Sequence, residues 1–387
     1  MYYKRFALAV FISIIAAFGQ LFSCPFCTMQ GQTLVGEVNQ ASMVLYGTLK
    51  NAKIGNADGA DGSTDFEVDK VIKDHPIRAG KKTLTLPRYV PPDKDGKYKF
   101  LLFCEVYKDK LDPYRGVAVP PESDIVKYLQ GALTVKDSTL PKKLGFYFDY
   151  LENSDSEISN DAYKEFGNAG YKEFEQAAKS FSRDKVVSWL TNTATPSFKM
   201  GLYASILGHC GKPEDAKLLK QILEDPEKQS SSGIDGVLAA YAMLNPKEGW
   251  DYLVAVMKNP KKEFLFRYAA LRAIRFFFEF TPDLFPRKKL VEAIVLLLDQ
   301  EDISDLAIED LRKWKVWDEA DKVLGLQEKD AYKKIPIVRR AVLRYALSCK
   351  GIMAADEFVK KQRLADAQGV SDAEELLKLE IPAPPAK

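Results

Sequence analysis

The sequence predicts an α+β, multidomain chain: a small N-terminal antiparallel β-barrel followed by an all-α solenoid of helical hairpins. Two observations predict it. The first is a repeat in the C-terminal half, where a large apolar residue follows two positions after a usually small one. The large residues are Tyr203, Leu238, Leu271, Ile308 and Leu343, preceded by Gly201, Gly236, Ala269, Leu306 and Ala341. Neighbouring anchors are 35, 33, 37 and 35 residues apart, the period of a helical-hairpin repeat. Leu306 and Asp310 break the small-residue pattern in one repeat. The second observation is a change of character at Pro120: short strand patterns precede it and do not return after it.

The elements follow in order. Thr28 to Ser42 is expected to be helical, with Leu34, Val35, Val38 and Met43 roughly on one side. Met43–Leu49 reads as a strand. Asn56–Ser63 is a Gly/Asp turn. Thr64–Ile72 alternates at Phe66 and Val68 and is a second strand. Lys82–Leu86 is a third, Tyr98–Tyr107 the most apolar and most buried, and Gly116–Val119 the last. Five short strands with a flanking helix predict the barrel. Helices are expected from Asp124, from Pro141 to Leu151, and over one long stretch from Ser159 to Phe181. Tyr163, 40 residues before Tyr203, marks a first repeat with an insertion. Leading helices follow near 184–192, 214–224, 248–258, 287–299 and 318–325. Their partners lie near 197–208, 233–244, 263–279, 303–315 and 336–348, with a closing helix over 353–364. The domains are 1–19 signal peptide, 20–120 β-domain, 121–365 helical repeats, and 366–387 a C-terminal helix with a disordered Pro-rich tail ending Ile381–Lys387.

The chain has 387 residues, with 56 Lys and Arg against 54 Asp and Glu. A net charge of +2 gives no case for nucleic acid, which wants a clustered basic face. Lys4-Arg5 precedes the apolar run Phe6–Phe18, shorter than the about 20 residues that span a bilayer, so it reads as a secretion signal. Ala17-Phe-Gly19 offers cleavage before Gln20 and soluble export. A lipid anchor on Cys24 and an uncleaved N-terminal anchor are the two other readings, and they are the chain's one route to a membrane. Location is therefore periplasmic, extracellular or in the cell envelope.

The spacing, together with Arg267-x-Ala-x-Leu-Arg272 echoed by Arg339-x-Ala-x-Leu-Arg344, resembles HEAT repeats over roughly 140–365. The resemblance implies a stacked array whose extended surface binds other proteins. The N-terminal part resembles the netrin-like, or TIMP-like, group of OB-fold barrels in exported proteins. The residues that carry it are a Cys-rich mature start, a following helix, and a Phe66-x-Val-x-x-Val-Ile-Lys73 strand ahead of a Cys-bearing strand. In that group an N-terminal cysteine bridges to a barrel cysteine, which implies a disulfide from Cys24 or Cys27 to Cys104.

The catalytic constellations are thin. Cys24-Pro-Phe-Cys27 has the spacing of a thiol-disulfide factor, but such a motif sits at a helix N-terminus after a core strand. Here an export signal precedes it and no βαβ unit follows. Cys24, Cys27, Cys104 and His75 number enough ligands for zinc, and structural roles suit them better. His209-Cys210 are adjacent, so their side chains do not face each other as a nucleophile pair must. Asp93–Gly96 and Asp58–Asp61 lack the full ligand run of a calcium loop and read as hairpin turns. Phe276–Phe280, Trp314 and Trp317 either bind a partner or fill space between helices. The sequence therefore predicts an exported, non-catalytic binding or scaffold protein with no cofactor and no metal. Its partner is an unidentified protein. The rival is a redox factor using Cys24 and Cys27.

Overall fold

The computed structural model describes residues 25–55, 62–93, 95 and 97–380. The signal peptide, Cys24, the 56–61 turn and the 381–387 tail lie outside the described residues. The chain is α+β. Helix α1 (Leu34–Gln40) precedes strands β1 (Met43–Lys53), β2 (Ser63–Lys73), β3 (Thr83–Leu86), β4 (Lys99–Tyr107) and β5 (Lys110–Val119). Seventeen α-helices follow among the described residues. The chain divides into two compact units, 1–181 and 182–387.

In the first unit the sheet is antiparallel in the order β3-β2-β1-β4-β5. β3 and β5 are its edges and do not pair, so strand pairing leaves the sheet open where a barrel was expected. Alternation explains the sheet's core. Leu84, Phe66 and Leu49 are directly opposed across three strands, as are Leu45 and Leu102 across two. These side chains share one face, and Met43, Leu86 and Cys104 complete a buried cluster there. Val44, Leu101 and Phe103 on the other face are also buried. Helix α2 (Ile125–Thr134) packs against β2.

The division falls after Phe181 and not near Pro120, because helices downstream of the sheet hold the segment upstream of it. After α2 come α3 (Leu140–Phe148), α4 (Ser156–Gly167) and α5 (Tyr171–Ala178). The expected single helix over 159–181 is interrupted at Asn168-Ala-Gly170. The break frees Asn168 to bond Gly31 in both directions, at 3.0 and 2.9 Å. Thr28 N–H donates to Tyr163 at 3.1 Å, so Tyr163 serves the first unit rather than starting the repeats. The carbonyl of Met29 lies where a Cβ on Gly167 would sit, 2.2 Å away; only glycine admits that approach.

Buried carboxylates complete this attachment. Asp161 accepts from the Leu34 and Val35 N–H groups at 2.5 and 3.3 Å and from the Tyr128 hydroxyl at 2.9 Å. A side chain of α4 thus satisfies the orphan donors at the start of α1. Glu165, one turn on, accepts from Thr33 Oγ1 at 2.6 Å. Burial, with the Asp161 charge adding to it, raises the Glu165 pKa above 4.5. A carboxyl raised in the folded state favours folding at low pH and loses that contribution as pH rises through its folded value. Glu165→Gln keeps an oxygen for Thr33 and removes the charge. The variant should match the parent's urea stability below about pH 4 and exceed it increasingly toward neutrality. A difference independent of pH would contradict this account.

The second unit is a succession of helix pairs: α6 (Arg183–Thr191) and α7 (Ser197–Cys210), α8 (Ala216–Glu224) and α9 (Ile234–Leu244), α10 (Pro246–Lys258) and α11 (Phe264–Phe280), α12 (Arg287–Val295) and α13 (Ser304–Lys313). Then come α14 (Ala320–Gly325), the one-turn α15 (Asp330–Lys333), α16 (Pro336–Ser348), α17 (Met353–Ala365) and α18 (Ala367–Leu379). Pro213–Asp215 forms a 3-10 turn leading into α8, and Pro246 opens α10 behind the Asn245 cap. Pro suits a first turn, where its missing N–H costs nothing.

Small residues set the spacing of the second helices. A Cβ on Gly236 of α9 would lie 2.5 Å from the Gly201 carbonyl oxygen and 2.7 Å from its Cα in α7. Backbone cannot yield as a side-chain tip can. Gly236→Ala should therefore cost about 1–3 kcal/mol, the range for overpacking. Gly325→Ala is the control: it meets nothing within 4 Å in a helical backbone and should be neutral or mildly stabilising. Urea denaturation of both checks the contrast, and equal effects would refute it.

Candidate binding groove

The five anchors are placed as follows. Tyr203, Leu238, Leu271 and Ile308 are fully buried in α7, α9, α11 and α13. Leu343 in α16 is only half-buried, and Val342 and Tyr345 take the core positions there. The aromatics mostly fill space. Phe276 and Phe277 are buried, Phe278 stacks on Trp314 at 3.7 Å between centroids, and Trp317 meets Tyr345 edge-on.

Among the described residues Cys27 is disulfide-bonded, and Cys104, Cys210 and Cys349 are free. Cys104 is a free thiol, so the bridge implied by the netrin-like resemblance is not made. Its register explains why: paired opposite Met43 and Pro113 in the middle of the sheet, its side chain is sealed in the core cluster. Burial pushes this thiol up to about 12, which leaves it inert at neutral pH. Cys27 is also buried. Cys210, in α7 beside His209, and Cys349 are free, and burial raises Cys210 to about 11. No group of three His, Cys, Asp or Glu that could hold a metal occurs among the described residues. No helix among them is long and apolar enough to cross a membrane.

The feature that stands out lies where the repeat pattern breaks. α7 packs closely on α9, α9 on α11, and α13 on α16. α11 and α13 stand further apart, and here Leu306 occupies the position held elsewhere by Gly or Ala. Leu306 is half-buried here and lines both depressions that open beside it. Arginines span the gap. Arg267 Nη1 donates to Asp302 and Gln300 at 2.9 and 2.8 Å, and Arg275 Nε donates to Asp310 at 2.8 Å. Both Arg–Asp pairs are separated by 35 residues, one repeat. Arg183 and Asp215, 32 residues apart, make the same kind of link earlier, at 2.7 Å.

Two depressions open on either side of Leu306. The first, about 520 Å³, is lined by Phe264, Leu306, Ile335 and Ile337 with Glu301, Asp302 and Asp305. Phe264 is 37% exposed and Ile337 53%, so apolar surface faces solvent beside three carboxylates. Arg267 holds Asp302 below the usual carboxylate range. Burial, with Glu309 and Asp302 nearby, raises Asp305. Among the described residues, neither Glu301 nor Asp305 has an ion-pair partner. This end is an acidic, apolar trough without a lining cation.

The second depression, about 500 Å³, contains Arg275, Glu279, Lys313, Trp314, Arg344 and Glu380 among its lining. Its charges are largely matched: Arg312 pairs with Glu309 at 2.8 Å and Glu380 at 2.7 Å, and Arg344 pairs with both. The network ties the end of α18 to α13 and α16. The sequence carries a signal for this groove in the misfit of Leu306 and Asp310.

Compared with known proteins, the chain matches no family model, no curated protein and no solved structure.

Proposed function

We propose that this is an exported, non-catalytic binding protein whose second unit is a HEAT-like solenoid, with the groove between α11 and α13 as its contact surface for a protein partner. The observation that carries the reading is the acidic, apolar trough around Leu306. Exposed Phe264 and Ile337 beside Glu301 and Asp305 suit an apolar side chain flanked by cations. Exposed apolar surface rimmed by charge is characteristic of interaction sites, and charge at such a rim steers the partner in. The netrin-like reading of the first unit is supported by strand number and order of appearance, with the open sheet and the free Cys104 against it.

The purified chain, taken through hydrolase and thiol-disulfide panels including insulin reduction, should show no turnover. Activity lost on a single substitution would overturn the reading, and loss specifically on Cys24→Ser or Cys27→Ser would establish the redox alternative. Mass spectrometry of the mature N-terminus tests export: a start at Gln20 means soluble export, diacylation on Cys24 a lipid anchor, and an intact Met1 a retained segment.

A further inference from the structure

The first unit holds an internal space that neither the groove nor the repeat reading uses. A cavity of about 200 Å³ lies against the inner face of the sheet, and its apolar wall comprises Leu49, Phe66, Leu86, Val90, Phe100 and Leu102. Packed cores leave few voids larger than a water molecule, and an apolar void of about 150 Å³ is enough to take benzene. The sheet makes this space because its edges approach without pairing. After β3, Thr64 fixes the chain by accepting from Val90 N–H at 2.8 Å and donating to the Arg88 carbonyl at 3.0 Å. Arg88 Nη2 then reaches the Pro113 carbonyl on β5 at 2.7 Å. One side chain straps the two edges where a ladder of hydrogen bonds would have closed them.

The polar lining is one-sided. Arg88, Tyr114 and Arg115 contribute to it, and no Asp or Glu among the described residues does. Arg88 is exposed whereas the apolar wall is buried or half-buried, so it stands at the mouth. Arg115 is neutralised by Glu37 and lies over the Phe103 ring at 5.7 Å. Arg88 has no carboxylate partner among the described residues. A guanidinium has five N–H donors in a fixed fork, and the strap uses one. Tyr114, its pKa raised to about 12 by partial desolvation and then by Glu37 and Glu105, is a neutral hydroxyl.

We propose that this cavity is a binding site for a small amphipathic carboxylic acid, a short acyl chain or single ring bearing one carboxylate. The tail fills the space between Leu49, Phe66 and Leu102, and the carboxylate meets the free donors of Arg88. A purely apolar ligand would leave the arginine unused, and a small anion would leave the cavity empty. Arginine favours planar carboxylates because two of its N–H groups match both oxygens. Such a ligand would also brace the β3 and β5 edges by occupying the space beneath the strap.

Titration calorimetry on the full chain tests this with three probes: octanoate, octan-1-ol and acetate. Octanoate should bind one to one, octan-1-ol at least about tenfold more weakly, and acetate not detectably at the same concentrations, a tenfold ratio being about 1.4 kcal/mol. Arg88→Met should reduce octanoate affinity to that of octan-1-ol while leaving octan-1-ol unchanged. Val90→Phe should fill the space and abolish both. Methyl NMR of the unmodified chain makes the test independent of whether the variants fold: octanoate should shift Leu49, Leu86 and Leu102 and spare the second unit's leucines. Absence of octanoate binding at millimolar concentration would overturn the proposal. So would equal affinity for octanoate and octan-1-ol with no effect of Arg88→Met, or methyl shifts confined to other residues.

Discussion

Leu271→Ala should lower the stability of the second unit by about 2–5 kcal/mol, the range for emptying a fully buried leucine. Leu271 is fully buried in α11, which packs against α9, α10 and α12. The substitution leaves a cavity that rigid neighbours on several sides cannot collapse into. In the proposed solenoid, coupling runs chiefly through nearest neighbours, so the damage should spread to the helices anchored by Leu238 and Ile308. The sheet of the first unit has its own core around Phe66 and Leu102 and should not feel it. Hydrogen exchange on the variant should show loss of protection from about 215 to 325 and none from 43 to 119. Uniform loss across both units would mean that they unfold together.

Arg275→Ala should cost about 3–5 kcal/mol, because it strands a buried charge. Asp310 is buried, and Arg275 is its ion-pair partner at 2.8 Å. Burial already raises the Asp310 carboxyl above its ordinary value, with Arg275 opposing the rise. Without the arginine the rise is unopposed. The sign follows from linkage: a carboxyl raised in the folded state stabilises at pH below its unfolded value and withdraws that stabilisation as pH climbs. The deficit of Arg275→Ala should therefore be smallest below about pH 4 and widen toward neutrality. Replacing both partners, as Arg275→Met with Asp310→Leu, should recover most of the loss, since an apolar pair of similar volume is often neutral or better. Urea unfolding at pH 4 and pH 7.5 reads all three. A deficit that shrinks as pH rises, or a double variant as unstable as the single, would contradict the account.

The strands and the helix pairs were legible because each depends on local periodicity. Phe66 and Val68 alternate as a half-buried strand must, the unbroken apolar run around Leu102 marks the most buried strand, and Pro246 and Pro336 open helices where proline is tolerated. What escaped the sequence depends on contacts between distant segments. The single helix expected over 159–181 breaks because Asn168 is needed by Gly31, and nothing local announces that. The unit boundary at Phe181 follows from Asp161 capping α1, a link across 127 residues. Cys104 was assigned a bridge by resemblance, and its register in the middle of the sheet denies it one. The groove was present in the sequence as an irregularity: Leu306 where four other repeats carry Gly or Ala. Its meaning came only with three dimensions, where Leu306 lines the depressions on both sides. The cavity under Arg88 had no sequence signal, because edge strands that approach without pairing look like any other strands.

The central claim is that the α11–α13 groove receives a protein partner, and site-specific photo-crosslinking in cells that express the chain tests it most directly. A benzophenone side chain placed at Leu306 or Ile337 should give one discrete adduct. The same group at Lys217 or Glu292, on the leading helices α8 and α12, should give none. Glu301→Lys with Asp305→Lys should abolish the groove adduct while the variant melts as a folded protein. Equal crosslinking at groove and control positions, or an adduct indifferent to the charge reversal, would contradict the assignment of this groove as the binding surface.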